Sequence, residues 1–209
     1  MKIYFWLPIA ILFGFGAAAQ AQPPFMPGPM HGPYSAQPRV NPGEQAVATL
    51  REGMRELLDF LGKKEKPNKL QLAAFLDSSI APYFDFDYMA KWAGGSLYER
   101  MDEQQRSLFA QKLKGLFFSA LARNLGTYSN TAPRIDVSRP RTRGQREMDV
   151  RARVYAEHGY PVSLTFRFYR GKAGWKVFDV TANGTSAVAY YRKHFNQVAR
   201  RGAIEACCR

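Results

Sequence analysis

The sequence predicts an α+β domain in which N-terminal helices pack on a curved antiparallel sheet of about four strands and a C-terminal helix closes the fold. Between residues 41 and 125, apolar residues recur every three or four positions, as on one face of a helix. Between 135 and 180 the period changes to two, which is typical of strands with one buried face. Helical spacing then returns after residue 186. A run of helices followed by a run of strands favours α+β over alternating α/β architecture.

Polar residues mark the predicted helix starts. Asn41 and Asn68 each precede an apolar helical pattern and are typical N-cap residues. Asp102 with Gln105 has the spacing of a capping box, and it begins the strongest helical pattern of the chain. Ser186 is placed to cap the last helix. We expect one helix after each of these four residues, the second of them running to Pro82.

The first 21 residues have the pattern of a secretory signal peptide. A basic Lys2 precedes an apolar stretch at 3–15, and Ala19-Gln20-Ala21 fits the cleavage site, so we expect cleavage after Ala21. The stretch is shorter than the roughly 20 apolar residues that span a bilayer. We therefore expect a periplasmic protein that does not span the membrane once processed.

A proline-rich segment at 22–41 follows the signal peptide. It has little apolar periodicity and is predicted to be a disordered leader, since it cannot bury enough apolar surface to offset the entropy of ordering. A single α+β domain is predicted at 42–206.

The net charge of +13 indicates an affinity for phosphate or anionic surfaces. On the predicted sheet, Arg151, Arg153 and Arg167 alternate with apolar residues, so they lie on the face opposite the core. Such a face could meet phospholipid headgroups or an acidic protein partner. Export from the cytoplasm makes nucleic acid the least expected partner.

The stretch PYFDFDYMAKW, at 82–92, combines five aromatic rings with two carboxylates. Asp85, like Asp179 further along, lies among apolar residues that could raise the pKa of a carboxyl into the range for acid–base catalysis. The favoured interpretation is structural: Asp85 is an N-cap, Asp87 interacts with the helix dipole, and Asp179 ends a strand. No motif for a metal site or a nucleophile accompanies them.

The order of several short motifs resembles the MlaC, or toluene-tolerance, family of periplasmic phospholipid-binding proteins. The motifs are Phe84-Asp85-Phe86-x-x-Met89 followed by a Gly pair, Met101-x-x-Glu103-Gln104-Gln105-Arg106-x-x-Phe109, Gly174-Trp175-Lys176-Val177-Phe178-Asp179-Val180, Gly184-x-Ser186, and Tyr191-Arg192-x-x-Phe195. The resemblance runs from about Asn41 to Glu205. A hopanoid-associated paralogue has much the same pattern.

The resemblance implies an NTF2-like fold around an apolar cavity that holds phospholipid acyl chains. It also implies a shuttle between an outer-membrane lipoprotein complex and the lipid-binding subunit of an inner-membrane ABC transporter. No cofactor or catalytic group is expected. Arg151, Arg153 and Arg167 are the predicted headgroup or partner rim. The residues expected to line the cavity are Phe86, Met89, Trp92, Leu113, Phe117, Leu121, Val150, Val154, Leu164, Phe166 and Phe168.

Two other functions remain compatible with the sequence. The first is an exported NTF2-like enzyme that uses Asp85 or Asp179 as a base on a small apolar substrate. The second is an interaction domain whose interior is filled. Cavity size distinguishes them, because ligand sites usually measure about 300 to 1,000 Å³ and a lipid needs the upper end of that range or more.

Overall fold

The fold consists of helices that pack on an antiparallel sheet. It is described in this computed structural model for residues 41–63, 67–125, 133–155 and 160–200. The α-helices are α1 (Pro42–Leu61), α2 (Lys69–Phe75), α3 (Phe86–Gly94), α4 (Ser96–Glu99), α5 (Glu103–Leu125) and α6 (Ala187–Arg200). The strands are β1 (Arg134–Val137), β2 (Arg141–Arg143), β3 (Glu147–Tyr155), β4 (Val162–Gly171), β5 (Gly174–Ala182) and β6 (Thr185–Ser186). The predicted signal peptide and nearly all of the predicted leader lie outside the described residues.

The predicted helix caps are confirmed. The side chains of Asn41, Asn68, Asp102 and Ser186 each accept a hydrogen bond from a backbone N–H two or three residues ahead, at distances of 3.0, 2.9, 2.8 and 3.1 Å. These bonds satisfy N–H groups that have no partner inside the helix. The starts of α1, α2, α5 and α6 are therefore local properties of the sequence.

The second predicted helix is less regular than expected. It is α-helical only through Phe75, continues as a π-helical segment at Leu76–Ile80, and ends in a 3-10 segment at Ala81–Tyr83. The π segment keeps Leu76 and Ile80 on the buried side, where they pack in one cluster with Leu61 of α1. The prediction of one continuous α-helix up to Pro82 was therefore wrong after Phe75.

The sheet is antiparallel, in the order β1-β3-β4-β5-β6, and β2 also pairs with β3. Within the described ranges it has six strands, where the sequence predicts about four. The two additional strands, Arg141–Arg143 and Thr185–Ser186, are three and two residues long. Strands of that length have no apolar alternation, and only their pairing with β3 and β5 identifies them.

Strand β5 contains a β-bulge at Phe178. Phe168 pairs with Val177 and Arg167 with Asp179, so Phe178 is the additional residue of the bulge. Phe178 is fully buried in a cluster with α3, α5 and α6, whereas Val177 packs against α1 on the other face. Val177 and Val180, an odd number of residues apart, lie on the same face because the bulge interrupts the alternation between them.

Asp179 lies within β5, directly after the bulge, and not at the end of a strand as predicted. Its side chain connects the sheet to α6. Its carboxylate is 1 % exposed and accepts hydrogen bonds from the Ser186 hydroxyl at 2.7 Å and the Val188 backbone N–H at 3.0 Å. A buried carboxylate that accepts two such bonds is held in a single position. Asp179 therefore fixes the direction in which α6 leaves the sheet.

The aromatic stretch at 82–92 docks on the edge of β5 before it becomes α3. The backbone N–H of Asp85 donates to the Val177 carbonyl at 2.8 Å, and the Asp85 side chain accepts from the Tyr88 N–H at 2.9 Å. The predicted N-cap role of Asp85 is confirmed. Tyr83 and Phe84, at the start of this stretch, line an interior cavity.

Candidate functional site

A cavity of about 830 Å³ lies between α1, α5, α6 and one face of the sheet. Its wall is largely apolar. The helices and the 81–84 segment contribute Thr49, Leu50, Gly53, Met54, Leu57, Leu58, Leu61, Ile80, Tyr83, Phe84, Leu116, Phe117, Ala120, Leu121, Arg123, Asn124, Leu125, Ala187, Tyr190, Tyr191 and His194. The sheet and its flanks contribute Pro133, Ile135, Val154, Val162, Leu164, Phe166, Val177, Val180, Ala182, Thr185 and Ser186.

Cross-strand register makes the sheet side of the cavity a continuous apolar floor. Val154 lies opposite Val162, and Phe166 lies opposite Val180. Successive side chains of a strand point to opposite faces, so Val162, Leu164 and Phe166 share the inner face. The floor therefore follows directly from the period-two pattern of the sequence.

Only one half of that inner face is hollow. Toward the other end of the strands, Val150 and Phe168 are fully buried beside Ala46 and Leu50 of α1. Small Ala46 permits close packing there. The cavity occupies the half formed by residues such as Phe166, where α1 does not close onto the sheet.

Tyr83 contacts α1 where that helix lines the cavity. Its hydroxyl donates a hydrogen bond to Glu56 Oε1 at 2.8 Å, and its ring lies so close to Gly53 that a Cβ there would be 3.2 Å from it. Burial, followed by the hydrogen bond and negative charge of Glu56, raises the pKa of Tyr83 to about 12. The phenol therefore stays neutral against an apolar wall at physiological pH.

The first two turns of α6 form another side of the wall. Tyr191 is buried, and burial raises the pKa of its phenol, which also remains neutral. Tyr190 and His194, one helical turn apart, are exposed although they line the cavity. Arg123 and Asn124 of α5 are likewise exposed lining residues, so the cavity reaches solvent at these positions.

The structure divides the predicted lining residues into two groups. Phe117, Leu121, Val154, Leu164 and Phe166 lie in the cavity wall. The other six predicted residues lie outside the wall.

The remaining predicted lining residues belong to packed regions. Val150 and Phe168 are in the filled half of the sheet face, and Met89 and Leu113 are fully buried in the cluster of α3, α5 and α6. Phe86 packs with its ring centroid 5.3 Å from that of Phe118. Trp92 is 38 % exposed and lies against Phe178, away from the cavity wall.

The predicted rim arginines do not surround the cavity. Arg151 and Arg153 are exposed on the opposite face of the sheet. Arg167 is partly buried on that face, 3.3 Å from Glu147 and 3.7 Å from Asp179, with its guanidinium 4.7 Å from the ring centre of Phe178. It stabilises the packing of α3 on the sheet and is not a free cation at a cavity mouth.

The predicted lining residues include neither Tyr83 nor Phe84 and none from α1 or α6, although all of these border the cavity. The helical spacing of Leu50, Met54, Leu57 and Leu61 shows the face of α1 that points inward. That signal identifies a buried face, but it does not distinguish a packed face from one that borders a cavity.

A family model described as MlaC protein matches residues 51–209. The chain belongs to the MlaC family. The match includes most of α1 and all later elements, so the whole cavity except Thr49 and Leu50 lies within the MlaC match. None of the curated proteins matches the chain.

Solved structures support the same fold. The chain is similar to a phospholipid-binding protein from Ralstonia solanacearum in complex with a phospholipid, with a TM-score of 0.66 and 22 % sequence identity. The similarity covers 77 % of this chain and 91 % of that one. Within the described residues, no helix is long and apolar enough to cross a membrane.

Proposed function

We propose that this member of the MlaC family binds phospholipid, with the acyl chains in the cavity between α1, α5, α6 and the sheet. The cavity itself is the observation that carries the proposal. Its volume of about 830 Å³ is near the upper end of the usual range for ligand sites, about 300 to 1,000 Å³. Each CH₂ group that it removes from water contributes roughly 0.8 kcal/mol, so an acyl chain is a strongly favoured occupant.

The two carboxylates that an enzymatic function would use have structural roles. Asp85 caps α3, and Asp179 accepts hydrogen bonds from Ser186, the cap of α6, and from the Val188 N–H in its first turn. Neither lies in the cavity wall. The arrangement supports a binding protein rather than an enzyme, because lipid binding needs an apolar enclosure and no bond-breaking group.

The family and the predicted signal peptide support a periplasmic shuttle. In this proposal the protein receives lipid from one membrane system and delivers it to the other. Its partners are an outer-membrane lipoprotein complex and the lipid-binding subunit of an inner-membrane ABC transporter. Enclosure of the chains lets a lipid cross an aqueous compartment without exposing them to water.

The first experiment is to purify the protein from periplasm, denature it and identify the released lipid by mass spectrometry. We expect phospholipid in a stoichiometric amount. A protein that carries no lipid, and takes up none from vesicles, would overturn the proposal.

A matched pair of variants locates the lipid. Phe166→Asp places a charge in the cavity wall, and we expect loss of lipid from a protein that stays folded, because a buried charge is incompatible with an acyl chain. Leu70→Asp makes a similar change at a side chain that is 79 % exposed on α2 and should retain lipid. Retention by a folded Phe166→Asp variant would show that the chains lie elsewhere.

A further inference from the structure

A groove of about 600 Å³ separates α1 from the edge strand β1. Its floor is apolar and consists of Met54, Leu58, Ile135 and Val137. The first three of these also line the main cavity, so the groove and the cavity lie side by side at these residues. A molecule with its apolar part in the cavity therefore has the groove within reach past these three side chains.

The α1 edge of the groove, called the lip, consists of Arg51, Arg55 and Asp59, and the two arginines lie one helical turn apart. Arg51 and Arg55 are four residues apart on α1, are both exposed, and both line the groove. Neither forms an ion pair within 4.0 Å with a described residue. Like charges at this spacing oppose each other slightly, so the pair does not stabilise the helix.

Asp59 lies on the same lip, one turn after Arg55, and also forms no ion pair within 4.0 Å with a described residue. The lip thus carries two positive charges and one negative charge. The positive end of the lip, at Arg51 and Arg55, is complementary to a phosphate group. Guanidinium groups bind phosphate through paired hydrogen bonds, and more strongly than they bind neutral acceptors.

We propose that Arg51 and Arg55 bind the phosphate of the lipid headgroup, and that the acyl chains pass over Met54, Leu58 and Ile135 into the cavity. The inference rests on the proposed function, since it specifies which part of the lipid lies where. It gives the protein a preference for lipids that carry a phosphate over neutral lipids with the same chains. It also places the headgroup beside α1, and not at Arg123, the exposed cation that lines the cavity from α5.

The test compares two lipids that differ only in the phosphate-containing headgroup. Protein stripped of lipid is incubated with an equimolar mixture of phosphatidylglycerol and diacylglycerol that have identical acyl chains. Bound lipid is then extracted and quantified by mass spectrometry. The ratio of the two lipids isolates the contribution of the phosphate, because changes in the cavity or in folding affect both lipids equally.

We expect the wild-type protein to prefer phosphatidylglycerol, and Arg51→Gln/Arg55→Gln to reduce that preference at least tenfold, because the loss of even one charge-assisted hydrogen bond has an effect of about that size. The matched control is Lys91→Gln/Arg100→Gln, which removes the same charge at two exposed positions outside the cavity and the groove. It should change the ratio less than twofold. Inorganic phosphate at the same concentration as the lipids should leave the wild-type ratio unchanged, because the acyl chains hold the lipid phosphate at the site.

The possible failures are distinguishable. If the wild-type protein takes up neither lipid, the proposed function is wrong. If it takes up both equally, or if Arg51→Gln/Arg55→Gln keeps the wild-type ratio, lipid binding stands and the phosphate site is wrong. If the control variant lowers the phosphatidylglycerol ratio equally, the preference arises from net charge and the phosphate site is wrong. If Arg123→Gln alone lowers this ratio, the headgroup lies beside α5 and not beside α1. Collapse of the ratio in inorganic phosphate would identify a site for free phosphate.

Discussion

Two phenylalanines on one strand provide the sharpest test of where the interior is hollow. Phe166 and Phe168 lie two residues apart on β4 and point to the same face of the sheet. Phe168 is fully buried in the filled half, whereas Phe166 is partly buried and lines the cavity. Replacing each with alanine makes the same chemical change in a packed and in a hollow environment.

The expected costs differ because a packed site loses more contacts. Phe168→Ala leaves a new void in a close-packed cluster and should lower the free energy of unfolding by about 3–5 kcal/mol. The Phe166 ring already borders empty space, so no new void is created. Its replacement loses only about half of the transfer term of roughly 1.5–3 kcal/mol for a buried phenylalanine, or about 1 kcal/mol.

Urea unfolding of lipid-free protein measures both costs, and repeating it with added phospholipid measures binding. Lipid should stabilise the wild type and Phe168→Ala by the same increment, since a ligand that binds only the folded state adds a term fixed by its affinity and concentration. The increment should be smaller for Phe166→Ala, which has lost a contact with the chains. Equal unfolding costs for the two variants, or a reduced increment for Phe168→Ala alone, would refute this placement of the cavity.

Three further predictions concern the polar groups around the cavity. Asp179→Ala should cost about 3–5 kcal/mol in urea unfolding, because it leaves buried donors and the nearby Arg167 without their carboxylate; a cost under about 1 kcal/mol would contradict this role of Asp179. Asp85→Ala should cost about 1 kcal/mol as a lost N-cap and leave lipid retention unchanged, so loss of lipid from the folded variant would argue for a role in the site. The pKa of Tyr83 is raised above its unfolded value, so the wild type should lose stability relative to Tyr83→Phe as the pH rises from 10.0 toward 12. If urea unfolding gives the two proteins the same dependence of stability on pH, the raised pKa of Tyr83 is refuted.

Helix starts and long strands were predictable from the sequence because their causes are local. Asn41, Asp102 and Ser186 bond to backbone groups within three residues, so the sequence alone contains both partners. The apolar alternation in β3 and β4 likewise marks one buried face. The short strands β2 and β6 were not predictable, because they exist only through pairing with residues far from any local signal.

The site was only partly predictable, for a different physical reason. Periodicity identifies a side chain as inward-facing, and Phe166 and Phe168 are indistinguishable on that criterion. What separates them is the distance between α1 and the sheet, which depends on the size of residues such as Ala46 and on the position of Tyr83. A cavity depends on the space between secondary-structure elements, whereas apolar periodicity describes one helix or strand at a time.

The same argument explains the position of the basic residues. Alternation placed Arg151 and Arg153 correctly on the outer face of the sheet, and that face is the one a lipid in the cavity does not reach. The cations that a headgroup can reach must be at the border of the hollow, and Arg51 and Arg55 of α1 meet that condition because α1 separates from β1 along the groove. In a protein with excess positive charge throughout, the location of the cavity, and not the density of arginine, determines which cations can contact the lipid.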